Sequence, residues 1–221
     1  MKLIKPSYQI LSEIDKEKIL INVERAGRTC YKSEDKITSG SAEKFVEMII
    51  SRGHESVLEH EKLSILFVCD RGVSHELVRH RIASFSQEST RYCNYSKDKY
   101  DNQLTFIVPC WFTERDMGDL QHTASDTYLT WYDHMLESAK NYRLLINYGW
   151  TPQQARSVLP NSLKTEIVVT ANLREWRLIL KQRTSKAAHP QMRELMIPLL
   201  NELKNLLPVI FKDIDEHERI S

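Results

Sequence analysis

The chain has 221 residues, and 41% of them are hydrophobic, which is enough to enclose a core in a single domain spanning residues 1–221. Its 31 lysines and arginines almost balance its 30 aspartates and glutamates, which argues against a protein drawn by overall charge to nucleic acid or to an anionic membrane. Any positively charged binding site must therefore be local.

The N-terminus and the cysteines predict a soluble protein of the cytoplasm. The first residues, MKLIKPSYQI, lack the apolar core of a secretion signal, and no apolar run is long enough to cross a membrane. The four cysteines lie far apart and form no CxxC pair, so we expect neither a disulfide framework nor a zinc knuckle. We therefore expect no membrane partner, no nucleic-acid partner and no bound metal.

The first seventy residues or so predict two helices and a buried strand. One helix is expected over about residues 15–30, and a second begins near Ser39 or Ser41, either of which could cap it, and stops at Gly53. The run KLSILFVCD, residues 62–70, is almost continuously apolar and predicts a buried strand.

The segment GHESVLEH, residues 53–60, invites comparison with a zinc hydrolase. A helical HExxH motif places its histidines four residues apart on one face, whereas His54 and His60 are six apart and would point in different directions. Metal binding is therefore not predicted. Two interpretations stay open: a polar loop with Leu58 in the core, or a site loop placed before a buried strand.

The stretch after the strand gathers cationic and hydroxyl side chains. Gly72 opens a short helix that we expect to end near His80, which would put His75 and Arg79 on one face. The chain beyond it is expected to be extended. A two-residue period would place these side chains on one side of it: Arg81, Phe85, Gln87, Ser89 and Arg91.

Converging arginines repel one another unless anions offset them, so this stretch favours a phosphate-bearing ligand. The chain has no GxGxxG or GxxxxGK[ST] loop, so side-chain cations and helix N-termini would have to hold the phosphate. Alternatively, Glu76, Glu88 and nearby aspartates neutralise the arginines in a solvated lattice. A nucleotide-binding regulatory module and a helix-turn-helix DNA-binding protein are the rival functions.

The second half of the chain is mainly helical and completes an α+β pattern. Strands are predicted over residues 104–109 and 165–171, and helices over residues 125–147, from Thr151 and Pro152 onward, over residues 172–183, and from Pro190 onward. We expect a single α+β domain with a central, mostly antiparallel sheet flanked by helices. Asn172, between a strand and a helix, is well placed to cap the helix and to meet a ligand.

The motif RHRIASFSQES supplies Arg79, His80 and Arg81, then seven residues, then Ser89. This is the signature of flavin-dependent thymidylate synthases. The block GHESVLEH before it and the blocks STRY, ARSVLP and TANLREW after it stand in that family's order. The chain therefore resembles that family over roughly residues 45–200.

The resemblance implies the family's fold and its reaction. The reaction is the methylation of dUMP to dTMP, with methylenetetrahydrofolate as carbon donor and NADPH as reductant through FAD. It also implies a homotetramer whose active sites are built between subunits.

The resemblance further implies two sets of site residues. The residues expected to contact FAD are Ser56, Arg79, His80, Arg81, Gln87, Asn172, Arg174 and Leu178. The residues expected around dUMP are Glu76, Leu77, Val78, Arg79, Gln87, Glu88, Ser89, Thr90, Arg91, Arg156 and Arg183. Arg183 is the expected catalytic residue: its guanidinium would stabilise negative charge on the uracil ring without exchanging protons. We expect Ser89 to bind substrate rather than act as a nucleophile, because no activating base is evident.

The chain departs from the family pattern at three places. Leu178 stands where members often have histidine or asparagine, and Gln87 stands where many have glutamate. The spacing after Arg183 is also longer than in some members, which leaves the roles of His189 and Gln191 open.

Overall fold

The computed structural model describes residues 1–97, 102–120 and 122–215. The α-helices are α1 (Lys16–Tyr31), α2 (Ser41–Ser51), α3 (Arg71–Leu77), α4 (Asp126–Asn147), α5 (Pro152–Ala155), α6 (Leu173–Thr184), α7 (Pro190–Leu206) and α8 (Pro208–Phe211). The strands are β1 (Lys2–Ile4), β2 (Ser7–Ile10), β3 (Lys62–Asp70), β4 (Ala83–Gln87), β5 (Thr105–Ile107) and β6 (Lys164–Asn172). Short 3₁₀ helices span Glu34–Lys36, Glu55–His60 and Arg156–Val158.

The strands form a four-stranded sheet in the order β2-β3-β6-β4 and a separate pair, β1 and β5. The hydroxyls of Ser64, near the start of β3, and Thr170, near the end of β6, lie 2.8 Å apart, so these two central strands are antiparallel. The smaller pair is parallel, with Leu3 opposite Phe106. The structure confirms the predicted α+β fold with an antiparallel sheet and flanking helices.

The chain contacts divide the protein into two compact units. The first unit contains residues 1–7, 67–77 and 86–167, and the second contains residues 8–66, 78–85 and those from Val168 onward. The long strands β3 and β6 each contribute residues to both. The single domain over residues 1–221 stays a prediction.

Each unit has its own buried apolar side chains. In the first, Phe106 and Leu163 pack with Met135 and Tyr142 of α4. In the second, Leu58 and Trp176 are fully buried, and the Trp176 indole donates to the Leu63 carbonyl over 3.0 Å. The burial of Leu58 agrees with one of the two interpretations left open for residues 53–60.

Local capping explains why several predicted helices begin where they do. Asp15 accepts from the Lys18 amide at the start of α1, and Ser125 accepts from the Tyr128 amide at the start of α4. Asn172 does the same for α6, as its side chain was expected to do. Each of these caps satisfies an amide that the helix itself leaves unpaired.

One predicted cap and one predicted helix end were wrong. Helix α2 begins at Ser41, as expected, but its N-cap is Gly40, where the backbone takes a φ of 78° that glycine adopts without strain. Helix α3 ends at Leu77, so His75 and Arg79 are not an i, i+4 helical pair. At this end the buried contacts of His80 outweigh a weak local preference for helix.

Within the described residues, no helix combines the length and the apolar composition needed to cross a bilayer.

Candidate functional site

A group of three polar side chains, of which His80 and Glu175 are buried and Arg183 is half-buried, lies in the second unit. The Arg183 Nε–H donates to His80 Nε2 over 3.0 Å, and His80 Nδ1 lies 3.4 Å from a carboxylate oxygen of Glu175. Glu175 is in the first turn of α6 and Arg183 is in its last turn. The imidazole of His80 therefore connects the two ends of one helix.

The chemistry of these contacts fixes the form of His80. A guanidinium N–H can only donate, so Nε2 must be the acceptor, and the ring hydrogen of the neutral form then sits on Nδ1, facing Glu175. Burial, and then the positive charge of Arg183, lower the pKa of His80 to about 4. Burial also raises the pKa of Glu175. Near neutral pH, His80 is thus an uncharged acceptor for Arg183.

The lowered pKa of His80 predicts that stability falls with acidity. The unfolded chain takes up a proton near pH 6.5, whereas the folded chain does so only near pH 4, so stability rises with pH between these values. Lowering the pH from 7 to 5 should reduce the free energy of unfolding by about 2 kcal/mol through His80. Urea unfolding of the wild type and of His80→Gln at both pH values measures this reduction. An equal pH dependence in the two proteins would contradict the assignment.

Exposed cations occupy the turn between α3 and β4, within the second unit. Arg79 and Arg81 are both exposed, as are their neighbours Val78 and Ile82. Within the ranges that the structure covers, neither arginine forms a hydrogen bond or an ion pair. Among the described residues, the alternative of a solvated salt-bridge lattice is therefore not seen at these two side chains.

Two adjoining cavities in the second unit are lined by other residues predicted to contact FAD. The first has a volume of about 410 Å³, and its wall includes Asn172, Arg174 and Leu178. The second, of about 360 Å³, is lined by Ser56 and again by Arg174. Arg174 donates to Glu59 over 2.6 Å, and its side chain is about half exposed. Leu178 is 44% exposed and gives the first cavity an apolar wall in place of a polar contact.

Most residues predicted to surround dUMP lie in the first unit. Gln87 is held by two hydroxyls, because its amide nitrogen donates to Ser74 over 2.9 Å and to Thr165 over 3.2 Å. Glu88 accepts from the Tyr95 hydroxyl over 3.0 Å and from the Lys164 ammonium over 3.1 Å. The side chains of Gln87 and Glu88 are thus fixed by neighbours within this unit.

The turn after Glu88 is braced against the segment that contains α5. Arg156 donates to the Thr90 hydroxyl over 3.4 Å, and Arg91 donates to Gln153 over 2.9 Å. The Ser89 hydroxyl accepts from the Arg91 amide over 3.3 Å. No histidine or carboxylate of the described chain forms a hydrogen bond with this hydroxyl, so its surroundings do not favour a nucleophile.

The structure places the remaining predicted residues in different settings. Glu76 is half-buried on α3, and Leu77 at its end is 1% exposed, so Leu77 offers almost no surface to a ligand in this chain. Three of the predicted dUMP residues lie in the second unit instead: Val78, Arg79 and Arg183.

Sequence reasoning missed several residues of these clusters. Glu175, Lys164, Tyr95 and Thr165 all contact predicted site residues but were not selected. Glu175 offered one signal, because it comes three residues after the capping Asn172. Nothing local marks the other three.

Comparison with known proteins supports one family. The family model described as "Thymidylate synthase complementing protein" matches residues 12–209. The chain is 35% identical over 201 residues to a flavin-dependent thymidylate synthase from Mycobacteroides abscessus, covering 87% of this chain and 78% of that protein. It is 34% identical over 195 residues to the protein of the same name from Geobacter sulfurreducens, covering 85% and 78%.

A solved structure shares the fold. It is a UMP/dUMP methylase, PolB, from Streptomyces cacaoi, bound with 5-Br dUMP; the TM-score is 0.77, and the match covers all of both chains at 23% sequence identity. The shared fold agrees with the two sequence matches, each of which covers most of the chain at more than 30% identity. The chain therefore belongs to the flavin-dependent thymidylate synthase family.

Proposed function

We propose that this chain methylates dUMP at C5 to give dTMP, with methylenetetrahydrofolate as carbon donor, NADPH as reductant and FAD as bound cofactor. The observation that carries the proposal is the 201-residue match to an enzyme of that name, which includes most of the chain. The fold of a protein solved with 5-Br dUMP supports the choice of a uridylate substrate.

The donor set of the second unit fits FAD. The cofactor's pyrophosphate is anionic, and exposed Arg79 and Arg81 offer guanidinium groups that form no ion pair with other described residues. Asn172 and Arg174 would contribute at the start of α6, while Leu178 offers an apolar wall for a ring system. Ser56 is a further proposed FAD contact of this unit, and Gln87, a residue of the first unit, is a separate one. His80 is also a proposed contact, but it is 6% exposed, so it adds little to the affinity for FAD. The chemistry that bound FAD supplies is the transfer of reducing electrons from NADPH.

Arginines and hydroxyls of the first unit are proposed to bind dUMP. Arg91 and Arg156 would pair with the phosphate, since guanidinium forks match its geometry. Thr90 and Ser89 offer hydroxyls that can bond to the sugar or phosphate. The other proposed contacts are Glu76, Leu77, Val78, Arg79, Gln87, Glu88 and Arg183.

Arg183 is proposed to activate the uracil ring. C5 of uracil becomes an effective nucleophile only as negative charge builds on the ring, and a guanidinium aimed at the N3 edge stabilises that charge. A guanidinium is too basic to exchange protons usefully near pH 7, so the proposed role of Arg183 is electrostatic and no enzyme nucleophile is needed. His80, being neutral, does not cancel this positive charge.

Purified protein provides the test of the proposed function. We expect it to bind FAD with a shifted flavin absorbance spectrum, and to convert dUMP to dTMP only when methylenetetrahydrofolate and NADPH are both supplied. Chromatography of the nucleotides measures the product. Protein that binds dUMP but forms no dTMP with all components present would support a regulatory module instead.

Arg79→Ala should weaken both ligands. Loss of a charged hydrogen bond costs about 1.5–3 kcal/mol, so we expect the dissociation constants of FAD and dUMP each to rise by about 10–100-fold. Flavin fluorescence quenching and calorimetric titration with dUMP measure them. Arg25→Ala, at an exposed position of α1, is the control. Unchanged affinities in Arg79→Ala would remove Arg79 from both sites.

Assembly and location complete the proposal. We propose a cytoplasmic homotetramer with active sites shared between subunits, in which case light scattering should give a mass of four chains.

A further inference from the structure

The contact between His80 and Arg183 joins residues that are 103 positions apart in the chain. His80 is 6% exposed and lies just before β4, whereas Arg183 is in the last turn of α6. Arginine is a long side chain with many rotamers, and holding it in one of them costs conformational entropy. A fixed acceptor on Nε removes much of that freedom before a ligand arrives.

The Glu175 carboxylate gives the imidazole its direction. A neutral histidine has two forms, and only the form with its hydrogen on Nδ1 leaves Nε2 able to accept from Arg183. The Glu175 oxygen, 3.4 Å from Nδ1, favours this form. Glu175 is itself buried, and its amide is held by the Asn172 cap, so the carboxylate starts from a fixed main-chain position.

We propose that His80 and Glu175 are positioning residues for Arg183: Glu175 orients the neutral imidazole, and the imidazole orients the guanidinium that faces the uracil ring. This inference rests on the proposed function, because it assigns a task to Arg183. It gives the histidine of the Arg-His-Arg signature a role that does not depend on touching FAD.

Two matched substitutions separate this role from a flavin contact. In His80→Gln, the side-chain amide oxygen reaches the place of Nε2 and can still accept from Arg183. In His80→Asn, the shorter side chain reaches only the place of Nδ1. Misplacing a group that acts on the reacting ring by about 1 Å can cost about 10²-fold in rate.

The expected result is a separation of kcat from binding. His80→Asn should lower kcat by about 10²-fold and His80→Gln by about tenfold or less, while the FAD dissociation constant stays within about twofold in both. Glu175→Gln keeps an acceptor for Nδ1 and should retain more activity than Glu175→Ala. His134→Gln, at an exposed position of α4, is the control for the substitution itself. Equal loss in His80→Gln and His80→Asn, or a rise in the FAD dissociation constant that accounts for the loss, would overturn the proposal.

A double-mutant cycle tests whether His80 acts through Arg183. If it does, adding His80→Asn to Arg183→Lys should cause little further loss of kcat, whereas independent roles would multiply the two losses. Multiplied losses would overturn the proposal.

Nitrogen NMR of His80 tests the geometry without any activity. The holoenzyme should show His80 as the neutral form with its hydrogen on Nδ1, and Arg183→Lys should change that spectrum. A hydrogen on Nε2 would overturn the inference even in an active enzyme. If the expected form is present and dTMP is not produced, the proposed function fails while the arrangement of the three side chains stands.

Discussion

Replacing Arg183 with lysine should lower kcat for dTMP formation by about 10²–10³-fold while FAD remains bound. This is the usual loss when one preorganised donor to a developing negative charge is removed. Lysine keeps the positive charge but has a single nitrogen, whereas Arg183 already uses Nε to contact His80. A lysine ammonium therefore cannot hold His80 and also reach the uracil ring in the same way.

Steady-state kinetics with saturating dUMP measures this loss, and the flavin spectrum of the purified variant verifies that the cofactor is present. Arg25→Lys, the same change at an exposed position of α1, is the matched control. A kcat within about threefold of the wild type in Arg183→Lys would remove Arg183 from the proposed role.

Of the substitutions proposed as tests, replacing Arg177 with alanine should lower the free energy of unfolding the most. Its side chain is 1% exposed and bonds to Asp213 through both terminal nitrogens, each at 2.6 Å, and to Glu55 at 2.9 and 3.1 Å. It also donates to the Ile210 carbonyl. Removing one partner of a buried ion pair costs about 3–5 kcal/mol, and we expect about 3 because the Asp213 side chain is 43% exposed.

Urea unfolding followed by circular dichroism measures the change, with Arg25→Ala as a control that removes an exposed arginine from α1. The Asp213 carboxyl offers a second check. Burial favours its neutral form, but the hydrogen bond and charge of Arg177 outweigh burial and lower its pKa. In Arg177→Ala that pKa should rise. A loss below about 1 kcal/mol would show that the network contributes little.

The sequence predicted those parts of the fold that depend on neighbouring residues. Asn172 was recognisable as a cap from its place between a strand and a helix, and its side chain forms the expected bond. The helices predicted from about residues 15 and 125 begin at Lys16 and Asp126. The strand over residues 62–70 was equally clear from its apolar side chains. The strand pairing of the N-terminal residues with residues 105–107 was missed, since nothing within a three-residue strand identifies its partner.

The family resemblance proposed residues for the candidate site but not the contacts between them. It selected His80 for flavin and Arg183 for substrate, but it could not show that they bond to each other. That contact depends on α3 ending at Leu77 and on His80 being buried, and both result from tertiary packing. Glu175 was overlooked for the same reason. Its carboxylate matters because it is buried in the fold, and the neighbouring residues in the sequence do not show which side chains are buried.

Release of tritium from dUMP labelled at C5 tests the central claim most directly, because methylation at that carbon must expel the hydrogen it carries. With FAD, methylenetetrahydrofolate and NADPH, the wild type should release tritium in step with dTMP formation, and Arg183→Lys should release it about 10²-fold more slowly. Protein stripped of FAD should release none until the cofactor is restored. Release that is indifferent to FAD, or no release from the flavin-loaded enzyme with every substrate present, would contradict the account.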